Sequence, residues 1–95
     1  MFVMLTQDLT KGFQSWKDMF LENQAEFNAL GGKLVFAGPE KENDNKMMVI
    51  IEFETPDAMK AFATNEDLRA KRAASGAVLE SNVITHLGDA SFVGS

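Results

Sequence analysis

The sequence predicts an α+β domain in the order β-α-β-β-α-β: a four-stranded antiparallel sheet with two helices on one face. Three observations predict it. Short apolar runs of strand length alternate with stretches of helical period over the whole chain. Glycine-, proline- and asparagine-bearing breaks separate those segments. Three of the four strand segments are apolar at both odd and even positions, so the sheet has two faces to bury.

Residues 1–7 are β-prone and end at polar Gln7 and Asp8, which makes them the first strand. Thr10 is the expected N-cap of the next segment. Phe13, Trp16, Phe20, Phe27 and Leu30 then recur at intervals of three, four and seven, the spacing of one helical face. Lys17, Asp18, Glu22 and Glu26 fall away from that stripe. Gly31-Gly32 stops the helix, since glycine enters the left-handed conformation that follows a helix end.

Lys33 to Ala37 forms a short second strand, and Gly38-Pro39 opens a polar loop, Glu40 to Asn45, expected to be solvated and mobile. Met47 to Glu54 is the strongest strand segment, and its unbroken apolar run implies a central position. Thr55-Pro56-Asp57 starts a helix with a capping hydroxyl, proline in the first turn and an acid against the dipole. Met59 and Phe62 face inward, and Asn65 caps a further turn or two. Arg69, Lys71 and Arg72 near that helix end read as solvated surface favoured by the dipole. Ser75-Gly76 ends it; Ala77 to about Leu87 is the last strand, and 88–95 is a short tail.

Ninety-five residues make one domain, 1–95. A chain of this length buries only roughly 60–70% of its unfolded surface, so self-association would help it. Right-handed crossovers put both helices on the same sheet face. That leaves the other face bare, and alternation divides each strand between the two faces: Met48 and Ile50 against Val49, Ile51 and Phe53; Phe2 and Met4 against Met1, Val3 and Leu5; Leu34 and Phe36 against Val35 and Ala37. Neither side is polar, and a bare apolar face of that size exceeds what monomers usually expose. A second copy related by a two-fold axis is the expected cover, closing the two sheets into a barrel.

Net charge is −5 and no basic run exceeds Arg69, Lys71 and Arg72, which argues against nucleic acid as a partner. The chain has no cysteine, so disulfides, thiolate nucleophiles and cysteine-held metals are excluded. The apolar start, Met1 to Leu5, lacks the basic lead-in and length of a signal peptide, and no segment approaches a membrane span. A cytoplasmic location is expected. Glu40, Glu42 and Asp44 alternate as calcium-loop ligands do, but Asn45 stands where that loop needs glycine. No phosphate loop or nucleophile-elbow motif appears, and neither a metal nor a cofactor is expected.

Phe13–Phe20 around Trp16, the run Val49–Phe62, and Asn65-Glu66-Asp67-Leu68-Arg69 leading to Ser75-Gly76-Ala77 resemble the dimeric α/β-barrel superfamily. That resemblance implies a ferredoxin-like fold whose sheets pair across a homodimer. Its members include cofactor-independent quinone-type monooxygenases, haem-binding enzymes, isomerases and many small proteins of unassigned function. Their ligands typically sit between sheet and helices. The resemblance therefore implies a site for an apolar or aromatic small molecule. It also leaves open a purely structural dimerisation domain with a filled core.

The candidate residues follow from these placements. His86 is the single histidine, a residue type whose ordinary titration lies near neutral pH; it is a candidate general base or axial haem ligand, or else a strand-end residue at the barrel rim or dimer contact. Glu52 interrupts an apolar strand and is a second candidate for proton transfer, or else a strand-end or interface carboxylate. Trp16, Phe20, Phe36 and Phe62 either line a ligand cavity or pack the core. Arg69 or Arg72 is placed to hold an anionic ligand group at the pocket mouth.

Overall fold

A computed structural model describes residues 1–94. The elements are β1 (Phe2–Leu9), α1 (Phe13–Ala29), β2 (Gly32–Glu40), β3 (Asn43–Phe53), α2 (Pro56–Ala63), α3 (Glu66–Ala74) and β4 (Ala77–His86). The strands form one antiparallel sheet in the order β2-β3-β1-β4. This is the ferredoxin-like arrangement that the segment order implies, with three helices in place of two.

The third helix arises at Asn65. Thr55 starts α2 as expected, its hydroxyl accepting from Ala58 N at 3.0 Å. Asn65 then takes an extended backbone conformation and its Oδ1 accepts from Leu68 N at 2.9 Å, so α3 begins afresh. Two short helices therefore stand where one crossover was expected.

The stretch 40–45 is not a mobile loop. β2 runs to Glu40 and β3 starts at Asn43, leaving only Lys41 and Glu42 in the turn. Pro39 sits inside β2, which an edge strand tolerates because its outer side forms no ladder. The polar residues beyond the turn have a structural task. Asp44 Oδ2 accepts from Phe13 N at 3.1 Å and Asn45 Oδ1 accepts from Gly12 N at 2.8 Å. These side chains cap α1 from another strand. Thr10 does not cap it: its hydroxyl donates to Gly76 O at 3.2 Å instead. Gly12 is the N-cap residue, with φ of 82°, and a Cβ there would lie 2.5 Å from Asp44 Oδ2. Only glycine allows this approach.

All three helices pack on one face of the sheet. Val3, Leu5, Val49, Ile51 and Phe53 from the strands meet Trp16 and Phe27 from α1. Leu68 is the buried residue of α3. Gly32 permits this closeness, since a Cβ there would meet the Phe27 ring at 2.5 Å.

The other face carries Phe2, Met4, Met48 and Ile50, as strand alternation requires. Phe36 joins them, against expectation. A register shift at Val35 puts Leu34 opposite Ile51 but Phe36 opposite Ile50, so Leu34 and Phe36 lie on opposite faces. Phe36, Met48 and Val83 are 54%, 42% and 61% exposed on this face, whereas Phe2 and Ile50 are half-buried and border a pocket with Phe92 and Val93 of the tail.

Candidate functional site

The helix layer is solid on one side and open on the other. On the α1 side, Phe13, Trp16 and Phe20 stack in series with ring centroids 5.8 and 5.5 Å apart. Phe20 meets Phe27 edge-on at 5.5 Å, and Phe27 meets Phe62 at 5.2 Å. Only a void of about 40 Å³ remains beside Trp16 and Phe20, scarcely more than the roughly 30 Å³ one water occupies in the liquid. Trp16 is buried and Phe20 partly buried in this stack, apart from the larger cleft.

On the other side α2 and α3 arch over β1, β3 and β4 and leave a cleft of about 600 Å³. That volume lies within the range of small-molecule sites. Its apolar walls include Met59 and Phe62 from α2, Val3 and Ile51 from the central strands, and Leu79 and Ile84 from β4. Ile84 belongs to the helix-facing side of the edge strand yet is 50% exposed, because no helix reaches over it.

The polar groups of the cleft come from three elements. His86, the last residue of β4, pairs with Val3 and stands exposed at the opening. Asn82 reaches the cleft through an irregularity in β4. Thr6 faces Val83 and Asp8 faces Val78, so residues 79–82 stand against Gln7 alone. The buried Gln7 side chain fills the gap, donating from Nε2 to Val78 O at 2.7 Å. Ser81 Oγ accepts from Asp8 N at 2.8 Å and donates to Val78 O at 2.6 Å. Leu79 and Asn82 both line the cleft as a result.

Arg69 and Arg72 are three residues apart on α3 and so share a helix face, the one turned to the cleft. Lys71 lies off that face and pairs with Asp67 at 2.9 Å and Glu26 at 3.5 Å. The expectation of solvated surface for this cluster therefore needs correction at Arg72. Its guanidinium sits 4.9 Å from the Phe62 ring centroid, a cation–π contact, and its Nε is buried without a partner. Burial, and then the positive charge of Arg69, draw the Arg72 guanidinium below the usual arginine value.

The cleft thus brings together Phe62, Arg69, Arg72 and His86 of the sequence candidates. It does not include Trp16 or Phe20, which are packed behind it. Glu52 and Phe36 stand apart from it. Glu52 pairs with Phe2 and Lys33 on the far face, where alternation after Ile51 puts it, and the shift at Val35 sends Phe36 to that face too. The residues that sequence reasoning missed are Leu79, Asn82 and Gln7. Among the described residues no group of three or more His, Asp and Glu side chains is placed to hold a metal ion. No helix of the described residues is long and apolar enough to cross a membrane.

Comparison with known proteins gives a family and a fold. A family model described as "Domain of unknown function (DUF3764)" matches residues 2–89. No curated protein matches the sequence. Among solved structures, an uncharacterized NIPSNAP domain protein from Burkholderia xenovorans superposes with a TM-score of 0.64 at 15% identity, covering 100% of both chains. A "putative antibiotic biosynthesis monooxygenase" from Deinococcus radiodurans gives a TM-score of 0.56 at 9% identity, over 99% of this chain and 98% of that one. A protein of the same description from Chloroflexus aurantiacus gives 0.51 at 11% identity, over 99% and 100%. At such identities the likeness establishes the fold alone.

Proposed function

The chain belongs to the DUF3764 family, and from that premise we propose that it is a small homodimeric protein that binds an apolar or aromatic molecule in the cleft beneath α2 and α3. The observation that carries this reading is the cleft itself. An apolar cleft of about 600 Å³ with a histidine exposed at its opening has the size and lining of a small-molecule site. The α1 side of the same layer is packed solid, so the opening is not a general looseness of the fold.

The chemistry proposed for the cleft is proton removal by His86, which lines it and is exposed. Taken from a CH2 group flanked by aromatic rings, that proton leaves an electron-rich carbanion. Such an anion reacts with dioxygen without a cofactor. The CH2 becomes a carbonyl, one oxygen atom stays in the product, and the other leaves as water with the two hydrogens. The resemblance to structures described as antibiotic biosynthesis monooxygenases favours this reaction over isomerisation. Phe62 and Met59 hold the ring system in this reading, and Arg69 and Arg72 border its far end. The far face, where Phe36, Met48 and Val83 are exposed, is the surface proposed to pair with a second copy.

Deuterium exchange separates proton removal from oxygenation. Anthrone incubated with the protein in D2O under nitrogen should exchange its CH2 hydrogens faster than in buffer, and His86→Ala should return the rate to that of buffer. Exchange that the protein does not accelerate contradicts the proposed role of His86. Native mass spectrometry reports the assembly, with a mass of two chains expected and a single chain contradicting the dimer.

A further inference from the structure

The polar end of the cleft says what kind of apolar molecule fits it. Three cationic side chains, Lys60, Arg69 and Arg72, border the cleft against one carboxylate, Asp57. Neither arginine forms an ion pair among the described residues, whose salt bridges involve only Lys46 and Lys71 as cations. This is unusual in a chain of net charge −5, where acidic partners are plentiful. Among the described residues Arg72 Nε and Asn82 Oδ1 are buried without a hydrogen bond, and both residues line this cleft. Both atoms are shut off from solvent, and of the two residues only Arg72 carries donors alone, the bonding that an anionic ligand suits.

Arg72 also lines the small void shared by Trp16, Phe20 and Val49. It therefore stands on the inner side of the cleft, whereas His86 is exposed at the opening. The Phe62 ring lies under the guanidinium and limits its swing. A guanidinium fork so held presents parallel N–H groups to a planar acceptor with two oxygens. A single negative charge is also less costly than a dianion to bring beside apolar walls.

Resting on the cleft-binding reading above, we infer that the ligand is an aromatic carboxylate, its head held by Arg72 with Arg69 adding a second positive charge and its ring against Phe62 and Met59. Asn82 can contribute to that head only by donating from its amide nitrogen, since its Oδ1, like the carboxylate, accepts. The carboxylate thus enters first and the ring lies towards His86.

Isothermal titration with 2-naphthoate and with its methyl ester tests this, because the two share a ring and differ in charge. The acid should bind the wild-type protein about tenfold or more tightly than the ester, the scale of one charge-assisted hydrogen bond. In Arg72→Gln that preference should collapse while the ester binds as before. Arg69→Gln, at an exposed helix position, should weaken the acid in the same direction by a smaller factor without disturbing the packing. Equal binding of acid and ester overturns the carboxylate inference and leaves the cleft reading standing. An acid preference that both glutamine variants retain overturns it as well. Binding of neither compound removes the cleft reading together with the inference.

Discussion

The two halves of the helix layer lie on the same sheet and are built differently. Under α1, seventeen residues carry a stripe of aromatic rings that stack at 5.5–5.8 Å and close on Phe27. Under α2 and α3, helices of eight and nine residues meet at Asn65 and leave β4 partly uncovered. The first half has four aromatic residues, Phe13, Trp16, Phe20 and Phe27, along one side of a long helix. The second has Met59 and Phe62 on one short helix and two arginines on the next. One half is closely packed and the other is open, and the proposed function places binding in the open one.

The largest expected effect breaks the solid half. Phe27→Ala removes a ring that is 3% exposed and touches Phe20, Phe53 and Phe62. Urea denaturation should show a loss of about 3–5 kcal/mol. Ile84→Trp sharpens the contrast: the indole fills the open half, so affinity for 2-naphthol should fall by about tenfold or more, roughly 1.4 kcal/mol. Its urea midpoint should hardly move, because residue 84 is half exposed. Asp44→Ala removes the acceptor that caps α1 from β3, and a loss of about 1 kcal/mol is expected in the same assay. His86→Ala is the smallest change in stability, within about 0.5 kcal/mol for an exposed strand end. A large loss there would give His86 a packing role and weaken the division between the halves.

The helices were legible where their signals are local. The Phe13–Phe27 spacing, the Thr55-Pro56-Asp57 start and the Asn65 cap each act within a few residues of themselves. Long-range features were harder to read. The cap on α1 comes from Asp44 and Asn45, more than thirty residues away, so Thr10 looked like the natural cap. The same two residues sit at the start of β3, which made a structured hairpin resemble a loop.

The irregularities decided the site. A shift at Val35 moved Phe36 to the far face, and the mismatch opposite Gln7 brought Leu79 and Asn82 into the cleft. Simple alternation cannot anticipate either one, since an extra residue reverses every later side chain. Glu52 shows the opposite case: alternation was regular there and carried it away from the helices. Arg69 and Arg72 were visible as a pair at helical spacing, but the burial of Arg72 depends on the position of Phe62 in three dimensions.

Nitrogen–proton correlation spectra recorded during titration with 2-naphthol test most directly whether the open half is the binding half. Amide signals of Met59, Phe62, Leu79, Ile84 and His86 should shift together and saturate, while those of Trp16 and Phe20 stay close to their starting positions. Saturating shifts confined to Phe2, Met48 and Ile50 on the far face, or no shifts at all, would contradict the account.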